Sequence, residues 1–299
     1  MDAPRRRAPG TMTETPKGDP SSGRRVLPPA AFIFHSSRCG STLLARLFAA
    51  DPANRVCIEP EVLRNFLKTR GRLHSPDVAR EFWALVLRLG ADPRAEERRL
   101  IVKFHSLAVF QVREIQRVFP EVPCFFLFRD PTEIVASLGR WTPHYLAEAN
   151  RPALAAALGG ASHATESYSR DEWLAWYVER CLHAAWEAAD GFADAIDYED
   201  FSTRYLEVVN RISATHFSPD DARIAQILSV HSRNVGEAFS LNDDARKVPA
   251  GLEPVVARIA GAAYLRWRQR LQLRPRASPS LHGSPPLKPA IADGRVPTD

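Results

Sequence analysis

The chain has 299 residues, a formal charge of +5, 45% hydrophobic residues and four cysteines. That is enough apolar material for one sizeable core or two small ones, and no stretch reaches the length of a membrane span. The charge is not a nucleic-acid signature, because residues 1–28 carry six basic and three acidic side chains and residues 274–299 carry four and two, leaving the span between them neutral. The basic residues of the core therefore point to a local anion rather than a long phosphate backbone, and no nucleic-acid partner is expected.

In chain order, residues 1–28 are dominated by Pro, Gly, Ser, Thr and Arg and read as a disordered arm. They lack the apolar stretch of a secretory signal, so a cytoplasmic protein is expected. From there strands and helices alternate. Strands are predicted at Ala31 to Phe34, Arg55 to Ile58, Leu100 to Phe104, Pro123 to Phe128 and Ala193 to Tyr198. Helices are predicted at about Ser41 to Ala50, Pro60 to Thr69, Pro76 to Leu89, Ala108 to Phe119, Pro131 to Arg140, Asp171 to Ala189, Ser202 to Ser213 and Leu252 to Leu271. Short apolar strands separated by helices imply an α/β fold, with a mostly parallel central sheet flanked by helices on both faces. One domain, residues 29–273, is expected. Residues 142–168, rich in Ala, Gly, His and Ser, read as an insertion or lid within it, and residues 274–299 as a disordered tail.

Two strand ends carry anion-binding signals. After Phe32-Ile33-Phe34 the chain runs His35-Ser36-Ser37-Arg38-Cys39-Gly40-Ser41-Thr42 into the helical pattern Leu43, Leu44, Leu47, Phe48. A tight loop entering a helix N-terminus turns backbone N–H groups toward one point, and the helix dipole adds positive character there. Gly40 permits close approach, Ser41 and Thr42 supply hydroxyls, and Arg38 supplies a fork for phosphate or sulfate oxygens. The loop fails the Walker A pattern twice, with His35 at the first Gly position and Ser41 at the Lys position, which argues against ATP or GTP hydrolysis. A Ser/Gly turn that merely caps a helix is the alternative. The second signal is Phe125-Phe126-Leu127-Phe128-Arg129-Asp130-Pro131, with Ser137 two turns into the following helix. Arg129 emerges at a strand's C-terminal end, the edge of open α/β sheets where ligands bind. A surface ion pair with Asp130 or another carboxylate is the plainer use of one Arg.

With these residues in view the chain resembles the sulfotransferases that use 3′-phosphoadenosine 5′-phosphosulfate (PAPS). Ser36 to Thr42 is similar to their 5′-phosphosulfate loop in its Arg-x-Gly-[Ser/Thr]-Thr form, Arg129 and Ser137 match their Arg…Ser pair for the 3′-phosphate, and Lys103-Phe104-His105 resembles their Lys-Thr-His tripeptide. The resemblance is specific from about Phe32 to Arg140, extends to Tyr198-Glu199-Asp200-Phe201 and is faint beyond.

It implies a P-loop NTPase-like sulfotransferase fold and PAPS as co-substrate, with no metal expected. Ser37, Arg38, Cys39, Gly40, Ser41, Thr42, Arg129 and Ser137 would bind the donor, joined by Arg233 from His231-Ser232-Arg233-Asn234, which stands in for a late closing segment. Arg246 and Lys247 are further candidates there, and solvated loop charges are the alternative.

Sulfuryl transfer needs a base for the acceptor and a positive group for the leaving phosphate. His105 is the first candidate base, because its proton affinity suits neutral pH and it matches the family's catalytic His. Lys103, two residues earlier on the same face of the strand, or Arg38 would offset charge on the bridging oxygen. Glu59, in Ile58-Glu59-Pro60-Glu61 at the second strand's end, is the rival base, though it equally suits a helix start.

Tyr198 is expected to support the fold or an adenine pocket. Trp173, Trp176 and Tyr177 are spaced either as core or as an acceptor-pocket lining. The cysteines, Cys39, Cys57, Cys124 and Cys181, have no metal or redox spacing and are expected to be mostly buried free thiols, with Cys39 the one placed where it could touch ligand. The expected acceptor is a hydroxyl or amine of a small molecule, glycan, lipid or peptide, with a homodimer as candidate assembly. The alternative functions are a P-loop-type nucleotide kinase and a catalytically idle nucleotide-binding relative.

Overall fold

The computed structural model describes residues 25–70, 73–159, 165–212, 216–229 and 248–273. Among them lie five parallel strands: β1 (Pro29–His35), β2 (Asn54–Ile58), β3 (Arg99–Lys103), β4 (Cys124–Phe128) and β5 (Phe192–Asp197), in the spatial order β2-β3-β1-β4-β5. The sequence therefore folds as an α/β protein. All strands run the same way, so their C-terminal ends share one edge, with β1 at the centre.

The central strands β1 and β4 are buried along their whole length because both sheet faces are covered there, whereas the edge strands β2 and β5 carry Asn54, Arg55, Asp194 and Asp197. Successive side chains alternate between two cores. Phe32, Phe34, Val102, Phe104, Phe126 and Phe128 pack on one side beneath α2 (Glu61–Thr69), α3 (Pro76–Leu89), α4 (Val112–Val118), α5 (Pro131–Arg140) and a long helix at Arg170–Glu187. Ala31, Ile33, Ile101, Phe125, Leu127 and Ile196 pack on the other beneath α1 (Ser41–Phe48) and the helices Tyr198–Ile212 and Ala222–Ser229.

Helix bounds follow local chemistry. Ser75 caps α3 by accepting the Val78 N–H, with Pro76 next, and Asp130 caps α5 by accepting the Thr132 N–H, with Pro131 next. Four expectations shift. The helix expected from Ala108 begins as a 3-10 turn at Ser106–Gln111, because the His105 side chain caps it by accepting the Leu107 N–H, and becomes α-helical only at Val112. The last helix runs from Leu252 to Leu273 with a π-helical turn at Ala257–Gly261. Two residues expected in the arm belong to the body: Leu27 is buried and its N–H donates to Gly90 O, while Val26 bridges Ala91. The region 142–168 contains a further helix at Arg151–Ala157, with Pro152 in its first turn.

That region is fastened to the body. The indole N–H of Trp173 donates to Leu146 O at 3.1 Å, and Arg151 donates to Tyr168 O at 2.7 Å while lying over the Trp173 ring. Trp173 and Tyr177 are fully buried and Trp176 stacks on Trp173, so this cluster is core rather than an acceptor surface. No helix among the described residues is long and apolar enough to cross a membrane.

Candidate active site

The loop after β1 is held by backbone geometry that few side chains tolerate. Ser37, Arg38 and Gly40 all have positive φ, at 72°, 47° and 77°. Left-handed residues in series curl a loop so that its N–H groups converge, and a non-glycine residue in that region signals a constraint the surroundings enforce. His35 supplies one such constraint: its Nδ1 accepts the Ser37 N–H at 3.1 Å, which leaves its proton on Nε2 to donate to Phe104 O, also at 3.1 Å. Tyr198 supplies another. A Cβ on Gly40 would sit 2.5 Å from the Tyr198 ring, so only glycine fits there. Gly40 then starts α1 without any side-chain cap, which leaves the helix N-terminus available to an anion.

The side chains of the loop divide. Arg38 is half-buried, donates to Trp141 O at 2.8 Å and lies over the Trp141 ring. Ser41 is buried and Thr42 partly exposed. Cys39 points the other way. Its thiol is buried in the core, donates to Leu127 O at 3.2 Å, and is pushed up to about 11 by burial. Its side chain is therefore not a ligand contact, because the turn directs it back toward β4.

Arg129 continues from β4 at the neighbouring position on the same edge and is only 4% exposed. Its Nε donates to the Glu133 carboxylate, Nη1 reaches Arg38 O at 3.4 Å, and the guanidinium lies 4.3 Å from the centroid of the Tyr198 ring. The two anion signals thus meet: Arg129 touches the loop, and one aromatic ring backs both. Ser137 is buried further along α5, where its carbonyl accepts the Trp141 N–H.

On the other side of β1, Lys103 ends β3 almost wholly buried, and its Nζ donates to Glu59 Oε1. Glu59 follows β2 with φ 48°, again left-handed and not glycine, and its N–H donates to Lys103 O at 2.7 Å. A buried ammonium needs such a partner. The Glu59 carboxylate remains about one-third exposed and lies 3.7 Å from His35 Nε2. His105 follows within electrostatic reach. Burial lowers its proton affinity against the opposing pull of Glu59, and Lys103 and Arg64 lower it further. Its Nδ1 accepts the Leu107 N–H at 3.3 Å and its ring meets that of Tyr145 edge-on at 4.9 Å. Tyr145 and Tyr177 both bond the Ser106 hydroxyl, so the 142–168 region reaches the site through Tyr145.

Glu59, Lys103, the Ser36–Thr42 loop and Arg129 therefore all sit at the C-terminal sheet edge. Arg233, Arg246 and Lys247 lie outside the described residues. Sequence reasoning missed three participants. Glu133 was legible at the i,i+4 spacing from Arg129. His35 was noted only for not being glycine. Trp141 carried no signal, since its carbonyl and ring meet Arg38 across the fold. Among the described residues no group of three or more His, Cys, Asp or Glu is arranged to hold a metal ion.

No family model matches the chain, and no curated protein matches it. Among solved structures it is similar to the sulfotransferase domain from the curacin biosynthetic pathway, at 12% identity and TM-score 0.47, over 83% of this chain and 99% of that one. It is also similar to a sulfotransferase from Alicyclobacillus acidocaldarius, at 19% identity and TM-score 0.41 over 81% and 100%. A sulfotransferase from Mycobacterium avium gives 14% identity and TM-score 0.43 over 82% and 79%. Identities this low say nothing about substrate or mechanism.

Proposed function

We propose that the chain is a sulfotransferase that moves a sulfuryl group from PAPS to a hydroxyl or amine of a small molecule, glycan, lipid or peptide. The observation that carries this reading is the meeting, on one sheet edge, of an uncapped left-handed loop, a buried Arg in contact with it, and a Lys–Glu pair at the ends of the next two strands. The first two suit an adenine nucleotide with separate 5′ and 3′ anionic groups. The third suits proton removal and charge relief at the reacting end.

In this reading the loop N–H groups and Arg38 hold the 5′-phosphosulfate and Arg129 holds the 3′-phosphate, with Ser137 nearby on α5. Glu59 is the base. Its carboxylate is partly exposed and held by a strained backbone and by Lys103, whereas Nδ1 of His105 already accepts an N–H, so that taking up a proton there costs His105 its cap. This reverses the order expected from the sequence. The acceptor O–H or N–H proton passes to Glu59 as the new bond to sulfur forms and the bond from sulfur to the 5′-phosphate oxygen breaks. Lys103, turning from Glu59, offsets the charge left on the departing adenosine 3′,5′-bisphosphate.

The test is transfer of label from PAPS across a panel of alcohols, phenols, amines, glycans and peptides, by the native protein and by Glu59→Gln. Transfer lost in the variant is the expected result. Undiminished transfer by Glu59→Gln assigns the base elsewhere, and failure of the native protein to bind PAPS removes the proposal.

A further inference from the structure

The partners of Arg129 raise a question that a simple phosphate site does not. Its Nε is taken by the Glu133 carboxylate, one Nη reaches the loop carbonyl of Arg38, and its face lies on Tyr198. Glu133 has no obvious need to be acidic for the sake of its helix, because Asp130 already caps α5 by accepting the Thr132 N–H. Two other first-turn acids, Asp77 and Glu61, pair with exposed arginines on their own helices, Arg80 and Arg64. Glu133 instead turns onto a guanidinium that is almost fully buried, and is itself only about one-quarter exposed.

We propose that Glu133 sets the strength and selectivity of the 3′-phosphate site by balancing the charge of Arg129. This rests on the reading of Arg129 given under Proposed function. A 3′-phosphate arriving at Arg129 meets a cation already paired, and a second anion beside it that repels the incoming charge. In a site this sheltered the repulsion is weakly screened. The carboxylate also orients the fork through Nε, so it improves geometry while weakening attraction. The net result is a site that reads the 3′-phosphate yet exchanges its nucleotide readily, with a reduced preference for 3′-phosphorylated over plain adenosine 5′-phosphates.

Glu133→Gln separates the two roles, since the amide oxygen still accepts from Nε while the charge is gone. Calorimetric titration of the native protein and the variant with adenosine 3′,5′-bisphosphate and with adenosine 5′-monophosphate reads the effect. The expected result is bisphosphate binding tightened about tenfold, with monophosphate binding unchanged. Unchanged or weaker bisphosphate binding overturns the proposal, and so does equal tightening of both ligands, which would mean that the charge acts on the 5′ end. Glu133→Asn, which removes the charge and keeps an amide oxygen as acceptor, must move in the same direction and serves if the Gln variant does not fold. If the native protein binds neither nucleotide, it is the nucleotide reading itself that fails.

Discussion

The guanidinium of Arg129 lies 4.3 Å from the ring centroid of Tyr198, and the same ring leaves room at Gly40 for a hydrogen and nothing larger. One side chain from the end of β5 therefore sets both the curl of the anion loop and the height of the buried cation beside it. The cation–aromatic contact is worth about 0.5–2 kcal/mol in general. Its larger effect is geometric, since Arg129 also touches the loop at Arg38 O. Arg129→Ala should weaken adenosine 3′,5′-bisphosphate binding by roughly 10- to 100-fold while changing adenosine 5′-monophosphate binding far less. Arg129→Lys should recover little, because a lysine cannot form the fork. Equal losses for both nucleotides, measured by titration, would count against the assigned 3′ role.

Gly40→Ala should be one of the most damaging small substitutions in the loop. It combines a left-handed φ of 77° with a Cβ placed 2.5 Å from Tyr198. A loss of about 1–3 kcal/mol is expected from denaturant unfolding, together with loss of nucleotide binding. Gly139→Ala is the control, as nothing lies within 4 Å of its added Cβ and its φ is not left-handed. Equal losses for the two substitutions would contradict the assigned role of Gly40.

The Lys103–Glu59 pair gives a kinetic prediction. Glu59→Gln should lower kcat by about 100-fold or more with nucleotide affinity nearly intact. His105→Gln should keep most turnover, because a glutamine oxygen can still accept the Leu107 N–H. The opposite ranking, with the His105 variant inactive and the Glu59 variant active, would restore His105 as base.

Burial lowers the proton affinity of His105, with Glu59 opposing and Lys103 and Arg64 reinforcing the shift. The unfolded chain then takes up this proton first on acidification. The stability contributed by a neutral His105 is fully present above its ordinary value of 6.5 and is lost as the pH falls below it toward the depressed folded value. Urea midpoints of the native protein should therefore drop more steeply as the pH falls below 6.5 than those of His105→Gln. Parallel slopes would show that this histidine is not held neutral by the fold.

Much of the scaffold was readable from the residues. The central strands β1 and β4 are apolar runs buried on both faces, and α3 and α5 announce themselves through Ser75-Pro76 and Asp130-Pro131. The Ala-rich helix at Arg151–Ala157 was hidden because its neighbourhood reads as loop by composition. At the site, residue types and chain order pointed to the loop, Arg129, Lys103 and Glu59. What they could not give was direction. Cys39 sits inside the loop motif yet turns its thiol to β4, and the proposed preference for Glu59 over His105 turns on the hydrogen bond that His105 Nδ1 accepts from Leu107, which no residue pattern announces. The Tyr198 contacts join distant stretches of chain, which no local pattern encodes.

The most direct test of the central claim is calorimetric titration of the full chain with adenosine 3′,5′-bisphosphate, against ATP with magnesium. The account requires clear binding of the bisphosphate, weak binding of ATP, and loss of the first in Arg129→Ala. Preference for ATP, or bisphosphate binding indifferent to Arg129, would contradict it.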